Sequence, residues 1–484
     1  KSRRRKTIIL IFLLINYLLD AFKQEMSQGV ERFFFLSYCL MCCWPGFDAS
    51  TDFHLHAQWA SLEFNINTAD PASQSYFFQQ YRPGASVPID VDYDYKRGRT
   101  FITNPRFDEG RPAVLGTVDS NNQIVPYPNY TWHENPRGES GCDGMISVFR
   151  TAIDECDRLW VMDAGKIGET EVCPPKLLAF DLADDRLIFK HIIQDNGKES
   201  DTLFITLAVD IRSRDKGDCE DTFVYVADVT GFAVLVVDVR QNRSWRLKHR
   251  LFYPHPNHGE YTIDGETFQL MDGVLGMALS PYRQGYDRFL FFHALASVTE
   301  NVVSANALRN ESYRLENKRD LTSLPIHPFK KERPNQAAAQ AIDRDGIMYF
   351  GIMEPPSIWC WNIATEFRQK NFHQVAIDRE GLQFASGVKV TTDERGNQEL
   401  FVLTSSFQRV MTGSISADRT NFRIYRGAIS KLLAGPASAC KNKNENLHKK
   451  YKRYNLLHAT SIFLWWVKRK KFLILCNYFT WESK

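Results

Sequence analysis

Several short motifs that mark large enzyme classes are missing from this sequence. It contains no GxSxG, HExxH or GxxxxGK[ST] pattern, so a nucleophile elbow, a metal-binding helix and a phosphate-binding loop are not predicted. It also has no long amphipathic helical pattern, and its apolar runs are too short for an ordinary membrane span. These absences argue against α/β-hydrolases, zinc proteases, P-loop enzymes and membrane-spanning proteins.

Positive charge is scarce in the middle of the chain. The 484 residues carry 60 Lys and Arg against 57 Asp and Glu, a formal net charge of +3. Residues 1–25 contribute about +4 and residues 441–484 about +9, which leaves residues 26–440 at about −10. A net negative charge on this part of the chain disfavours nucleic-acid partners and favours cationic small ligands.

The cysteines lack the spacing of a zinc site. Six of the ten lie between residues 51 and 440, at positions 142, 156, 173, 219, 360 and 440. These six contain no CxxC pair. We therefore predict no metal site. In a secreted chain these cysteines favour disulfides, with Cys156, Cys173, Cys219 and Cys360 as candidates and Cys173 as a candidate partner for Cys156.

The two ends differ in composition from the rest of the chain. From Met26 onwards a short polar start, an apolar run at 33–44 and small residues by 50 have the layout of a secretory signal peptide. We predict a signal peptide at 26–50, preceded by an upstream artefact or an extended leader at 1–25. The alternative is that the apolar run within 1–25 is itself the signal. Residues 441–484 are predicted to be a disordered basic tail or a gene-model artefact.

Both alternatives send the protein into the secretory route, so we predict an extracellular protein. Three Asn-x-Ser/Thr sequons agree with this route. The glycosylation candidates are Asn129, Asn242 and Asn310.

A hairpin pattern recurs along residues 51–440. Each copy is an apolar segment, a polar turn with Asp or Gly, and a second apolar segment that ends in polar or small residues. The copies begin at Val91, Thr151, Leu207, Met277, Gln340 and Val388. Six four-stranded units at nearly even spacing predict an all-β fold, a six-bladed β-propeller. A pair of β-sandwiches is the alternative, but it does not explain six returns of one pattern.

Propeller topology groups polar side chains at one end of the central channel. The first strand of each blade lines the channel and begins at the end where the second strand finishes. The second strands end at Asn104, Asp163, Asp228, His293, Glu354 and Ser405, and the starts of the inner strands add Asp272, Gln336 and Ser386. A concave mouth with converging polar groups is the predicted ligand site.

Several segments resemble the yellow and major royal jelly protein family of insects. The strongest are ECDRLWVMDAG (155–165), CPPKLLAFDL (173–182), DTFVYVADVTGFAVLVVDVRQNRSWRL (221–247), GETFQLMDGVLGMALSP (265–281), FFHALAS (291–297) and IWCWN (358–362). The resemblance implies a secreted six-bladed propeller that acts in pigmentation or cuticle melanisation, binds biogenic amines or converts dopachrome. Many members read FQWxDGI where this chain has Leu270 in place of Trp, which leaves the ligand preference open.

Two carboxylates at the predicted mouth are candidates for pairing with a ligand amine. Asp163 and Asp228 could neutralise an ammonium group if the pair is well hydrogen-bonded. The alternative is that each accepts backbone N–H groups of the following turn. Further ligand-binding candidates, able to stack on an aromatic amine or to hydrogen-bond it, are Phe268, Gln269, Gln336 and Phe384.

The catalytic candidates are His293 and Asp272. Dopachrome conversion requires a proton to leave a ring carbon and another to return to oxygen, and the unperturbed pKa of histidine suits such a step. Next to Asp272, Gly273 permits close backbone approach. A satisfied structural histidine is the alternative for His293.

The sequence thus predicts a secreted protein that holds a small aromatic amine or catechol-derived ligand in its channel, without a cofactor. The alternative function is a dopachrome tautomerase or decarboxylase. A calcium-dependent hydrolase of the six-bladed type is a third interpretation, in which Glu354, Asn104 and Asp163 could imitate the metal ligands.

Overall fold

A computed structural model describes residues 52–441, apart from residues 68, 70, 135–140, 195–196, 214–217 and 318–319. The predicted signal peptide, the segment before it and all but the first residue of the basic tail lie outside the described residues. Those predictions therefore stay predictions. Within the part of the chain that the structure describes, no helix is long and apolar enough to cross a membrane.

The described chain forms six four-stranded antiparallel sheets and two short hairpins. The first strands are β1 (His54–Trp59), β2 (Val91–Asp94), β3 (Arg99–Thr103), β4 (Leu115–Val118), β5 (Ile124–Pro126), β6 (Val148–Ile153), β7 (Arg158–Asp163), β8 (Lys166–Ile167), β9 (Thr170–Glu171), β10 (Lys176–Asp181) and β11 (Arg186–Ile192). The middle strands are β12 (Phe204–Ile211), β13 (Thr222–Asp228), β14 (Ala233–Asp238), β15 (Arg243–Lys248), β16 (Glu260–Ile263), β17 (Glu266–Gln269), β18 (Val274–Leu279), β19 (Phe289–Ala294), β20 (Thr299–Ser304) and β21 (Ile326–Glu332). The last strands are β22 (Gln340–Ile342), β23 (Ile347–Ile352), β24 (Ser357–Asn362), β25 (Phe372–Ile377), β26 (Ala385–Thr392), β27 (Gln398–Ser405) and β28 (Phe422–Ala428).

Each four-stranded sheet is one blade of a propeller. Blades 1 to 5 are β2–β5, β6–β7 with β10–β11, β12–β15, β18–β21 and β22–β25. Blade 6 consists of β26–β28 and β1, which pairs antiparallel with β28 and so closes the ring. The inner strands of the six blades are neighbours in cyclic order. The predicted six-bladed β-propeller is confirmed, and the outer strand of blade 6 comes from a segment that the repeat pattern did not assign.

The helical segments are short and connect strands or cover their ends. The α-helices are α1 (Pro71–Gln80), α2 (Ala305–Arg309), α3 (Ser312–Asn317), α4 (Phe407–Thr412) and α5 (Ile429–Leu432). Single 3₁₀ turns lie at Tyr130–His133, Gly141–Asp143, Arg250–Phe252, Pro256–His258, Gln369–Asn371 and Pro436–Lys441.

The core lies between the blades, because a central strand has a neighbouring blade on each face. In β7, Leu159 and Val161 pack towards blade 1, whereas Trp160 and Met162 pack towards blade 3. Successive side chains of a strand point to opposite faces, so a strand buried on both faces is apolar throughout. This segment of β7 therefore packs between two blades.

The repeated Asp of the first hairpin turns stabilises the turn itself. Asp154 accepts hydrogen bonds from the backbone N–H of Cys156 and Arg158 and from the indole of Trp160. In blade 5, Asp343 likewise accepts from Ile347 N and from the hydroxyl of Tyr349 on the second strand. One carboxylate thus bonds the turn and the aromatic side chain of the next strand, which accounts for its recurrence.

Three disulfides cross-link the described chain. They join Cys142 to Cys173, Cys156 to Cys219 and Cys360 to Cys440. The expected pairing of Cys156 with Cys173 is therefore wrong. Its partner is supplied by the adjacent blade, because the first hairpin turns of blades 2 and 3 lie side by side and sequence distance does not report that.

Candidate functional site

The buried guanidinium group of Arg150 crosses the channel of the propeller. Register shifts mark bulges near the start of the inner strands β6, β12, β18 and β26. Arg150, in the bulge of β6, donates to the carbonyl oxygens of Leu275, Ala338 and Ser386 at 3.4, 3.1 and 2.7 Å and to the hydroxyl of Thr206 at 2.8 Å. These bonds connect blade 2 to blades 3, 4, 5 and 6. Arg150 therefore separates the two ends of the channel.

The end at which the inner strands begin is called the mouth here. There the charge of Glu169, from blade 2, acts on Asp272, which comes from a different blade. Asp272 precedes β18, and burial together with the charge of Glu169 raises its pKa to about 6. Glu169 is exposed at the turn of the β8–β9 hairpin, beside a cavity of about 60 Å³. This cavity is also lined by aromatic, apolar and cationic side chains, among them Phe107, Phe149, Leu203, Arg106 and Lys166.

Aromatic side chains form a wall beside Asp272. Tyr261 and Phe268 face each other across the β16–β17 hairpin, with ring centroids 5.0 Å apart and planes inclined by 13°. Phe268 also contacts Phe384 and Phe407, which stack on each other at 4.4 Å. The wall thus extends from the hairpin to the start of blade 6.

The hydroxyl group of Tyr261 is a buried polar group without a hydrogen-bond partner among the described residues. Burial and the charge of Asp272 both raise the pKa of Tyr261, so the hydroxyl is neutral at physiological pH. A buried hydroxyl without a partner costs free energy unless a ligand or water satisfies it. Tyr261 is itself buried, so its hydroxyl is an unsatisfied proton donor beneath the surface of the mouth, within the electrostatic influence of Asp272.

The β16–β17 hairpin reaches across the mouth to helix α4. Arg409 of α4 pairs with Asp264 and Glu266 of the hairpin at 3.0 and 3.3 Å. At the base of the hairpin, the side-chain amide of Gln336 donates to the carbonyl oxygens of His258 and Glu260 at 3.1 and 2.9 Å. Gln336 is thus placed at the mouth as a support for the hairpin.

The region around Gly273 is as crowded as the sequence predicted. A Cβ atom at this position would lie 2.5 Å from both the Phe232 ring and the Phe252 carbonyl oxygen. Glycine is therefore required for the backbone to pass between these groups. This close approach holds Asp272 at the edge of the channel.

The surroundings of Asp163 and Asp228 fit the alternative in which each carboxylate accepts hydrogen bonds from backbone N–H groups of a nearby turn. Asp163 is fully buried, accepts from the backbone N–H of Ile146, Ser147 and Gly165, and forms an ion pair with Lys176 at 2.8 Å. Asp228 is also fully buried. Its partners are Arg246 at 2.6 Å, the hydroxyl of Thr202, and the backbone N–H groups of Leu203 and Gly231. Neither carboxylate has exposed surface for a ligand amine.

His293 is enclosed between blades 4 and 5. Its Nδ1 lies 3.0 Å from Glu300 Oε2 and its Nε2 lies 2.9 Å from the carbonyl oxygen of Ala337. Burial and the nearby charge of Arg333 lower the pKa of His293. His293 has no exposed surface, and both of its ring nitrogens have hydrogen-bond partners. It therefore fits the role of a structural histidine and not the role of a general base at the mouth.

The remaining candidates divide into wall residues and residues with other partners. Phe268 and Phe384 belong to the aromatic wall, whereas the Gln269 side chain is exposed at the end of β17. Leu270, at the position where the family often has Trp, packs against the core. Ser386 and Ser405 are both buried.

The three residues of the calcium-site alternative do not converge. The Asn104 side chain accepts from Val87 N and donates to Ala113 O, and Glu354 pairs with Arg379 at 3.3 Å. Asp163 is occupied by Lys176. Among the described residues, no group of three His, Cys, Asp or Glu side chains could hold a metal ion.

Sequence reasoning missed Glu169, Tyr261 and Arg150. Asp264 and Gly265, both with positive φ, form the tight turn of the β16–β17 hairpin. An Asp-Gly pair flanked by alternating apolar residues is a hairpin signal that could have pointed to Tyr261. No sequence signal brings Glu169 and Asp272 together, because they belong to different blades.

Comparison with known proteins agrees with the fold and with the resemblance of individual segments. A sequence profile described as major royal jelly protein matches residues 146–437. Dopaminechrome tautomerase of Drosophila melanogaster is 30% identical over 418 residues, which cover 84% of this chain and 88% of that protein. Major royal jelly protein 9 of Apis mellifera is 30% identical over 410 residues, covering 81% and 91%. Protein yellow of Drosophila melanogaster is 29% identical over 399 residues, covering 79% and 70%. The chain therefore belongs to the yellow and major royal jelly protein family.

Proposed function

We propose that this protein is secreted, binds a small aromatic amine or catechol-derived ligand at the mouth of its propeller, and acts in pigmentation or cuticle melanisation. One observation carries the proposal: Asp272 lies at the mouth, where the Tyr261–Phe268 stack also lies, with a pKa that burial and the charge of Glu169 raise to about 6. The acidic pair suits an ammonium group, and the aromatic wall suits the ring that carries it.

The energetics of the mouth favour a cation in particular. A partly desolvated carboxylate beside another carboxylate is in an unfavourable environment, which is why its pKa is raised. A bound ammonium group would supply the missing counter-charge and replace lost water contacts. A charge-assisted hydrogen bond of this kind contributes about 1.5–3 kcal/mol.

Amine binding should weaken when Asp272 is neutralised, either by acid or by mutation. Because the pKa of Asp272 is about 6, the carboxylate is mostly ionised at pH 7.5 and about nine-tenths protonated at pH 5. We expect the Kd for dopamine, serotonin or octopamine, measured by calorimetry, to rise about tenfold between these pH values. Asp272→Asn should raise Kd at pH 7.5 by at least about tenfold and remove the pH dependence.

The matched control is Asp184→Asn, an exposed carboxylate in the outer hairpin of blade 2. It should bind the amines as the wild-type chain does. Absence of heat with all three amines would remove the amine-binding proposal. Equal affinities for Asp272→Asn and the wild-type chain would show that the mouth carboxylate is not the ligand contact.

Aminochrome isomerisation is the second candidate function. It is favoured by a base with a pKa near 6, Asp272, lying close to the unpartnered hydroxyl of Tyr261. In this scheme the Asp272 carboxylate removes a proton from a ring carbon and becomes a carboxylic acid. The quinone oxygen, to which Tyr261 donates a hydrogen bond, takes a proton from water, and Asp272 then returns its own proton to water. The similarity to a dopaminechrome tautomerase supports the choice of substrate class.

Secretion and N-glycosylation complete the proposal. Three disulfides favour an oxidising compartment, and Asn129, Asn242 and Asn310 are all exposed. Expression in insect cells should deliver the protein to the medium, and enzymatic removal of N-glycans should lower its mass. Retention inside the cells would contradict secretion, and an unchanged mass would contradict glycosylation.

A further inference from the structure

A second cavity lies at the end of the channel away from the mouth. Its volume is about 190 Å³, and its lining includes Ala152, Val209, Leu279, Ile342 and Val390 from the later parts of the inner strands. We call this cavity the vestibule. Arg150 also lines it, so the guanidinium group forms the boundary between the vestibule and the mouth.

The vestibule carries an excess of positive charge in an otherwise acidic domain. All hydrogen-bond partners of Arg150 are neutral groups, and its Nε is buried without a partner among the described residues. Lys389, on β26, is balanced by Asp90 at 3.0 Å, and Arg288 lies 3.5 Å from Asp210. The charge of Arg150 is thus left without a carboxylate in direct contact.

Arg150 remains charged despite its burial. Burial lowers its pKa to about 10, and the charge of Asp90 opposes that shift. A buried cation whose partners are neutral is stabilised when an anion approaches it. The unpartnered Nε–H is the donor that such an anion would accept from.

The other residues of the vestibule determine which non-ionic part of a ligand fits beside Arg150. Its walls are mainly Ala, Val, Leu, Ile and Met side chains, which favour an apolar body. Two acceptors among the lining residues, Asp90 Oδ1 and Gln340 Oε1, are buried and have no hydrogen-bond partner among the described residues. They would accept from a ligand that also carries a hydroxyl group.

We propose that the vestibule binds a small monocarboxylate with an apolar body and a hydroxyl donor, with its carboxylate at Arg150 and Lys389. This site is separate from the amine site of the mouth and has the opposite charge preference. The two ends of one channel would then hold different ligands on the two sides of the Arg150 guanidinium group.

The test is calorimetry at pH 7.5 with 4-hydroxybenzoate as the probe and the full secreted chain. We expect saturable binding of 4-hydroxybenzoate and at least tenfold weaker binding of the uncharged 4-hydroxybenzamide. Lys389→Met should weaken 4-hydroxybenzoate binding at least tenfold. The control Lys330→Met, which removes an exposed lysine from the outer strand of blade 4, should leave it unchanged.

Two further measurements separate the vestibule from the mouth. Saturating dopamine should leave the affinity for 4-hydroxybenzoate unchanged, and Lys389→Met should leave the affinity for dopamine unchanged. If Lys389→Met does not fold, Ala278→Phe narrows the vestibule without removing a charge and should also weaken 4-hydroxybenzoate binding. No heat with 4-hydroxybenzoate, equal binding of the amide, or displacement by dopamine would overturn the proposal.

Discussion

Lys176→Met should lower the free energy of unfolding by about 3–5 kcal/mol. Lys176 Nζ lies 2.8 Å from Asp163 Oδ2, and the two side chains are 2% and 0% exposed. Methionine preserves most of the apolar length of the side chain but leaves the Asp163 carboxylate buried without its cation. The loss is measured by urea denaturation of the purified variant and of the wild-type chain.

A matched ion pair in the same blade is the control. Lys190 of β11 lies 3.3 Å from Asp143, but these side chains are 32% and 84% exposed, so Lys190→Met should cost less than about 1 kcal/mol. The double variant Lys176→Met/Asp163→Asn should recover part of the loss, because no unpaired charge remains. Equal losses for the two single lysine variants would contradict this account of Asp163.

Asp272→Asn should convert dopaminechrome at least about 100-fold more slowly than the wild-type chain, because removing a general base costs about 10²–10⁴ in rate. The reaction is followed as loss of the visible absorbance of the aminochrome. Wild-type protein that gives no acceleration over buffer would exclude this substrate. Equal rates for the variant would exclude Asp272 as the base.

The variant Tyr261→Phe distinguishes a role of the hydroxyl in the reaction from a role in stabilising the fold. Its hydroxyl is buried and has no partner among the described residues, so its removal should leave stability unchanged or slightly increased. The rate of conversion should nevertheless fall about tenfold if the hydroxyl stabilises the quinone oxygen. Asp184→Asn serves again as the control with wild-type rate and stability.

The propeller was predictable because its determinants are local. Strands such as Leu159–Met162 are apolar at every position, since both faces are covered by neighbouring blades. The turns that precede them carry an Asp, such as Asp154, that bonds the turn backbone. Both signals recur along the chain and can be counted, although Ser280 takes the place of the Asp in blade 4. The strand that closes blade 6, β1, was not predicted because its partner, β28, lies more than 300 residues later.

The composition of the site depended on contacts between distant residues. By sequence, Asp163, Asp228, Asp272 and His293 were equivalent polar residues at the channel mouth. Asp163 and Asp228 turned out to be buried and neutralised by Lys176 and Arg246. Asp272 instead has a raised pKa, because it is partly buried and lies within the electrostatic influence of Glu169 of blade 2. Whether a carboxylate is satisfied or available depends on such neighbours, and a single sequence does not report them.

The sequence by itself determined the class of this protein: six hairpins of apolar strands at nearly even spacing, most with an Asp in the turn, are enough to indicate a six-bladed propeller. Only the tertiary structure decided which polar groups face the channel with unmet charge or hydrogen bonds. Ring closure brings Asp272 within the electrostatic influence of Glu169 at the mouth, and it brings Arg150 to the carbonyl groups of three other blades and to the hydroxyl of Thr206 in a fourth. The physical reason is that the repeated hairpin pattern depends on residues that are close in sequence. Desolvation and charge pairing depend instead on contacts between blades that are distant in sequence.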